Sequence, residues 1–202
     1  MTAPLSTLTK SASLPRYRWT TQSYYAAAKA GLLGDGRFEL LDGDIVTVPV
    51  PDPIQEAAVR RLLKYLLSML GEQAHVEKVM PIALSDYSEP IPDITVVQTS
   101  ENDYATSHPT PQETYLLIEV ANSNPERDTK AKRLIYAQAN IPEYWVFDLE
   151  AQEMRVFRES TGEGETADYS LDEVWNEETI SLLAFPDIEL STATLKRLAF
   201  ND

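Results

Sequence analysis

Four side chains spread through the middle of the chain, Glu39, Asp93, Glu119 and Lys132, have the make-up of a divalent-metal hydrolase site. Carboxylates of this kind can hold a cation, and an ammonium group can orient a water or steady the charge that develops at a reacting phosphate. Two of the four stand where packing explains a charge poorly. Asp93 follows Pro92 and opens the apolar run Ile94-Thr95-Val96-Val97, while Glu119 closes Tyr115-Leu116-Leu117-Ile118 and is followed by Val120. A lone carboxylate near the end of a buried strand costs several kcal/mol to desolvate unless it is paired or binds a metal. Hard oxygen donors select Mg²⁺, with Mn²⁺ as its substitute, and the scarcity of histidine disfavours zinc. Only His75 and His108 exist, neither at a ligand-like spacing, and each reads as an ordinary surface or edge residue.

Each residue also has a plainer account. Lys132 lies four positions after Asp128 and four before Tyr136, so on an α-helix the three share one face. Asp128 and Lys132 then read equally as a surface ion pair worth about 0.3 to 0.5 kcal/mol. Glu119 can cap the next helix or face water, and Asp93 can be a turn residue after proline. Glu39 alternates with Phe38 and Leu40 and by itself reads as an exposed strand position, so its weight comes from the set. Tyr136, Tyr144 and Trp145 can stack on a substrate, but on a helix and an apolar strand they read first as core.

The elements that must position these groups follow from periodicity and turn chemistry. Thr20 or Thr21 caps a short helix running to Leu33, which Gly34-Asp35-Gly36 ends. Asp42-Gly43 between Phe38–Leu41 and Asp44–Val48 signals a tight hairpin. From Pro53, apolar residues at helical spacing from Ile54 to Leu70 predict a helix ended by Gly71, its other face, Gln55, Arg60, Arg61 and Lys64, being solvated. Strands are predicted over Val76–Leu84, Ile94–Val97 and Tyr115–Val120, with a long polar loop from Gln98 to Glu113 that reads as a lid or a mobile segment. After the capping residues Asn122 to Asp128, a helix is expected over Arg127–Asn140. Strands at Glu143–Asp148 and Met154–Phe157 follow, then an acidic surface loop over Glu159–Asp168, a hairpin of Thr179–Phe185 with Ile188–Leu190, and a final helix over Thr192–Phe200. This order predicts an α/β (α+β) fold, a mixed β-sheet flanked by helices, with the candidate residues near strand ends.

Composition sets outer bounds. Residues 16–202 suit a single domain, and Met1–Pro15, small and hydroxyl-rich, reads as a flexible N-terminal tail. The absence of cysteine excludes disulfides and thiolate metal sites. No apolar run approaches the roughly 20 residues of a membrane span, so no membrane partner is expected and a cytoplasmic location is the default. The net charge of -15, from 32 acidic and 17 basic residues, argues against broad non-specific affinity for nucleic acid while leaving room for a local basic groove.

Five blocks carry a resemblance: Phe38-Glu39-Leu40-Leu41-Asp42-Gly43-Asp44-Ile45-Val46; Pro92-Asp93-Ile94-Thr95-Val96; Ile118-Glu119-Val120; Asp128 to Lys132 to Tyr136 at intervals of four; and Ile141-Pro142-Glu143-Tyr144-Trp145-Val146-Phe147-Asp148. In this order, from about Tyr17 to Phe200, the chain is similar to the bacterial putative restriction endonuclease family of the PD-(D/E)XK superfamily, long catalogued as a domain of unknown function. The resemblance implies a restriction-endonuclease-like core, Mg²⁺ as cofactor, DNA as substrate, a homodimer, and hydrolysis of phosphodiester bonds. By the same carry-over Asp93 and Glu119 are the metal-binding carboxylates, Glu39 assists from the first hairpin, and Lys132 takes the place of the superfamily's lysine. That lysine would stand at 121, where this chain has Ala121. Asn122-Ser123-Asn124-Pro125 replaces a Ser-Pro pair of relatives, and Gln55 replaces a histidine that opens the long helix. These departures and the acidic balance keep a second expectation open, a catalytically inactive nuclease-fold dimer acting as a binding or regulatory module. An acidic mimic that occupies a DNA-binding protein is a third, resting on charge alone.

Overall fold

The computed structural model describes residues 16–122 and 125–201. The tail expected over Met1–Pro15 lies outside the described residues, as do Ser123 and Asn124 of the expected capping stretch.

The first helix, α1 (Thr21–Lys29), starts at Thr20, whose hydroxyl accepts from the Ser23 N–H at 3.1 Å while Ser23 Oγ accepts from the Thr20 N–H at 2.9 Å. It ends four residues before the expected Leu33. Gly31 takes φ +73°, and the N–H groups of Gly31 and Leu32 close back on the carbonyls of Ala28 and Ala27, each at 3.0 Å, so the helix is finished by a Schellman turn at the earlier glycine. The hairpin of β1 (Phe38–Leu41) and β2 (Asp44–Thr47) is as read: Asp42 and Gly43 both sit at positive φ, 48° and 83°, as a type I′ turn requires. A Cβ at position 43 would stand 2.7 Å from Arg18 Cβ, so glycine is needed there for space as well as for conformation. Helix α2 (Pro53–Leu70) matches its apolar spacing, with Pro53 in the first turn and Ala58, Val59, Leu62, Leu66 and Leu70 buried.

The remaining strands form one six-stranded sheet: β3 (His75–Lys78), β4 (Ile94–Val97), β5 (Thr114–Ala121), β6 (Glu143–Asp148), β7 (Glu153–Thr161) and β8 (Asp168–Val174), adjacent in that order. Every neighbouring pair is antiparallel except β5 and β6, which run parallel because a helical crossover, Arg127–Gln138, carries the chain back between them. Its first part, Arg127–Lys132, is π-helical, and its last, Arg133–Gln138, is the α-helix α3. A two-residue ladder, β9 (Thr179–Ile180) with β10 (Leu190–Ser191), leads into α4 (Thr192–Phe200), capped by the Ser191 hydroxyl.

Alternation along the sheet sorts the core into two layers. Ile94, Val96, Leu116, Ile118, Trp145 and Phe147 pack with α2 and α4 on one side; Leu117, Tyr144, Val146, Phe157 and Tyr169 pack with Tyr136 of α3 on the other. This is the mixed, helix-flanked sheet the pattern implied. Tyr136, Tyr144 and Trp145 are fully buried, as core aromatics.

Several local expectations are corrected. The strand expected over Val76–Leu84 stops at Lys78, because Val79 adopts φ 57° and Pro81 has no N–H to continue a ladder. The stretch Glu159–Asp168 is not all loop: Glu159–Thr161 belongs to β7 and Asp168 opens β8. Strand β8 escaped the sequence because it is an edge strand in which only Tyr169 is buried. The expected hairpin of 179–190 shrinks to its two-residue ladder because side chains hold the following segment out of register. Glu143, fully buried, accepts from Leu183 N–H at 2.8 Å, Trp145 Nε1 at 2.8 Å and Arg158 Nε at 2.9 Å, while Arg158 Nη2 donates to the Ser181 carbonyl at 2.6 Å. On α2, Arg61 is not simply solvated: its Nε donates to the Leu198 carbonyl at 2.6 Å and ties α2 to the end of α4.

The Glu143–Arg158 pair is therefore a staple between the sheet and the 181–183 segment. Arg158→Ala leaves a buried carboxylate without its cation and is expected to cost about 3 kcal/mol in urea unfolding at pH 7; a change under 1 kcal/mol would show that the staple is dispensable.

Candidate active site

Side-chain alternation on β5 puts Leu117, Glu119 and Ala121 on the α3 face of the sheet, opposite to Ile118 and Val120. Glu119 therefore points at the crossover helix rather than at solvent. Its Oε1 accepts from Lys132 Nζ at 2.6 Å and from the Tyr136 hydroxyl at 3.0 Å. One strand over, Asp93 immediately precedes β4, and its Oδ2 accepts from the Val120 N–H at 2.8 Å, which ties it to the residue beside Glu119. The two carboxylates share one cleft of about 150 Å³ with Lys132 and Asp128.

Glu39 enters from the hairpin. It is fully buried and does not line the cleft but stands behind its wall. Its Oε2 lies 3.3 Å from Lys132 Nζ and accepts from the Ile91 N–H at 3.1 Å, and its Oε1 pairs with Arg127. It is thus not the exposed strand residue that alternation alone suggested. One carboxylate fixes the lysine, the arginine and the chain two residues ahead of Asp93.

The π-helical turn explains how this works. Its hydrogen bonds reach five residues back, as from Arg133 N–H to the Asp128 carbonyl, so residues five apart, not four, fall on one face. Arg127 and Lys132 are five apart, and both reach Glu39. The surface pair expected between Asp128 and Lys132 does not form; Lys132 is only 2% exposed, and the exposed pair in this segment is Glu126 with Lys130 at 2.6 Å. Asp128 instead turns into the cleft. Sequence reading placed it in the capping stretch, on one face with Lys132 and in the resemblance's block, not as a cleft residue, and a π turn leaves no signature in residue types.

Three further cleft residues were not read as functional. Gln55, taken as solvated, lines the cleft together with Asp93 from the first turn of α2. Arg37, just before β1, acts electrostatically on Asp93. Asn122 Nδ2 donates to Asp52 Oδ2 at 2.7 Å and fastens the end of β5 to the start of α2. The long loop over 98–113 lies away from the cleft: Tyr104 packs edge-on against His75 at 5.9 Å, and His108 Nε2 is 3.9 Å from Glu89.

Crowding of carboxylates shows in their proton affinities. Burial pushes the Glu119 carboxyl up to about 8 against the pull of the Lys132 ammonium, with Asp128 and Asp93 adding to the rise. Burial also raises Asp93, although the Val120 N–H, Lys132, Gln55 and Arg37 hold it back, and it raises Asp128 against Lys132 and Arg127. Among the described residues no group of three or more Asp, Glu or His side chains already stands in metal-holding geometry.

The mixed sheet, its parallel β5–β6 pair and the cleft of carboxylates with a buried lysine beside it define a nuclease-like fold. The chain belongs to the Uma2 family, described as putative restriction endonuclease, whose model matches residues 23–193. Among the solved structures it resembles is a putative nuclease belonging to DUF820 from Anabaena variabilis ATCC 29413, with a TM-score of 0.64 and 16% identity, covering 90% of this chain and 99% of that one. At this identity the likeness carries the fold alone. Comparison with curated proteins gives no match. Among the described residues no helix is long and apolar enough to cross a membrane.

The raised Glu119 value sets the sign of a pH effect. Unfolded, the carboxyl ionises near 4.5; folded, it holds its proton up to about 8, so its contribution to stability is complete below 4.5 and is lost as pH rises to 8. In chelator, the unfolding free energy should fall across this window by at most about 1.4 kcal/mol per pH unit, and Glu119→Gln should flatten the decline. Lys132→Met should destabilise by about 3 kcal/mol at pH 8 and by less at pH 5, where the carboxylates can take up protons. Urea titrations at the two pH values check both, and a pH-independent Lys132→Met penalty would contradict the assigned coupling.

Proposed function

We propose that the protein is a metal-dependent endonuclease that hydrolyses phosphodiester bonds in DNA. The observation that carries the reading is the convergence of Asp93, Glu119 and Lys132, far apart in sequence, on one cleft, with the ammonium 2.6 Å from Glu119. Asp93 and Glu119 are the metal-holding carboxylates, and Mg²⁺, or Mn²⁺ in its place, is the cation their oxygens suit. Bound there, a cation supplies an acidified water and neutralises charge on the phosphate.

The chain's own groups do the rest. Lys132 faces the reacting phosphate and stabilises the charge that builds on it, or orients the attacking water. The Tyr136 hydroxyl and the Val120 N–H each fix one oxygen of a carboxylate, so Glu119 and Asp93 need not reorganise when a cation arrives. Glu39 acts as a positioning residue through Lys132 and Arg127. Residues 16–202 work as one unit, assembled as a cytoplasmic homodimer in line with the family resemblance; sedimentation equilibrium tests the dimer.

A second reading draws on a specific observation. The cleft wall carries Asp52, Glu56, Asp93, Glu119 and Asp128 against Arg37, Arg127 and Lys132, an acidic balance that suits a catalytically inactive dimer serving as a binding or regulatory module.

One experiment separates the two. Plasmid and oligonucleotide cleavage should be seen with Mg²⁺ or Mn²⁺ and be lost, by at least about 100-fold, in Asp93→Asn and Glu119→Gln, with the calorimetric metal-binding heat lost too. Lys132→Met should lose cleavage but keep the metal heat. A wild-type protein that neither cuts DNA of any form nor binds metal would rule out the nuclease and favour the inactive module.

A further inference from the structure

Two arginines of the cleft are left without a full set of partners by the site just described. Arg127 spends Nη2 on Glu39, yet its Nε is buried with no hydrogen-bond acceptor, an uncommon state for a guanidinium whose side chain is 21% exposed. Arg37 reaches the same cleft from the residue before β1, is exposed, and among the described residues forms no ion pair although it acts on Asp93. Lys132, the third cation of the wall, is committed to Glu119 and Glu39.

We propose that Arg37 and Arg127 form a phosphate clamp that seats the nucleic-acid backbone beside the Asp93–Glu119 pair, and that this cleft engages its substrate through phosphates and not through base edges. The inference rests on the nuclease reading for the identity of the anion. The two side chains come from different elements, the hairpin base and the π-helical turn, and bear on different carboxylates: Arg37 on Asp93, Arg127 on Asp128. A phosphodiester held between them would meet the part of the Arg127 side chain that is open to the cleft, and a guanidinium matches such oxygens in a two-pronged fashion. The rest of the wall supports the second half of the proposal. Among the described residues it includes no aromatic side chain on which a base could stack, and its exposed large apolar side chains are Val50 and Val79. Contacts of this kind position a strand and carry no sequence information.

The glutamate behind Arg127 also gives the clamp its direction. Glu39 holds one end of the guanidinium, so Arg127 is oriented before substrate arrives instead of being ordered by it.

The test is binding of a fluorescent duplex oligonucleotide of random sequence to the full chain in chelator, where no cleavage occurs, measured from low to moderate salt. Arg37→Ala, an exposed substitution that leaves the fold intact, should weaken binding about tenfold and lower the slope of log affinity against log salt by about one. Arg127→Lys keeps the charge that Glu39 needs but loses the planar guanidinium fork; it should weaken binding with little change in slope, and thermal melts should confirm that it folds. Two oligonucleotides of different sequence should be affected alike. Unchanged affinity and slope in both variants would overturn the clamp even if the wild type cuts DNA. If the wild type binds no metal and cuts nothing, while the arginine variants still lose DNA binding, the clamp stands and the nuclease reading fails. Losses confined to one sequence would overturn the claim of backbone-only engagement.

Discussion

Lys132 lies where water scarcely reaches, and its Nζ stands 2.6 Å from Glu119 and 3.3 Å from Glu39. Polar groups of this kind buried apart from one another would be costly. Held together, the three groups satisfy one another, and the arrangement joins the β1–β2 hairpin, the central strand β5 and the crossover helix into one unit. Most features of the cleft follow from that triad. Tyr136 donates to the Glu119 oxygen that also takes the lysine, Arg127 completes the charge on Glu39, and the Ile91 N–H binds Glu39 and so sets the chain that leads to Asp93.

The order of the sheet makes this possible with few parts. Because β4 and β5 are neighbours, Asp93 at the start of one lies against Val120 near the end of the other, and the two acids approach without any loop having to bring them together. Because β5 and β6 are parallel, the chain between them must cross one face of the sheet, and that crossing supplies the amine. Position 121 on the strand itself is the alanine Ala121, and the amine reaches the cleft from the crossover segment in the layer above.

How far this was visible in the residues depends on which physical signal each feature leaves. Helix α2 announced itself through its apolar spacing, Pro53 and Gly71, and the hairpin through Asp42-Gly43, because both depend on local rules. The family-like order of the five blocks carried the sheet and the set of Glu39, Asp93, Glu119 and Lys132. What stayed hidden depends on contacts between distant segments or on rare backbone geometry. The π turn that lines up Arg127 with Lys132 has no code in residue types, so the helical reading paired Lys132 with Asp128 instead. Gln55 and Arg61 looked solvated because the cleft that Gln55 lines with Asp93, and the Leu198 carbonyl that Arg61 binds, are built from residues dozens of positions away. Strand β8 had almost no buried face to show, and Val79 at φ 57° ended β3 well short of Leu84, where the sequence reading carried it.

The charge of the whole molecule bears on how the cleft must work. A net charge of -15 repels a polyanion at long range, so the association with DNA proposed above would not rely on the diffuse attraction that basic nucleic-acid-binding proteins use. Within about a Debye length, roughly 8 Å at physiological salt, only local charge counts, and there the cleft places Arg37 and Arg127 next to carboxylates that a divalent cation would neutralise. On the nuclease reading, cation and substrate would favour each other's binding: a metal would remove negative charge that opposes the phosphate, and the phosphate would contribute oxygens that two protein carboxylates do not provide. The site would then hold either ligand less tightly alone than together. The acidity of the rest of the surface, read first as a mark against a DNA enzyme, would become part of that selectivity.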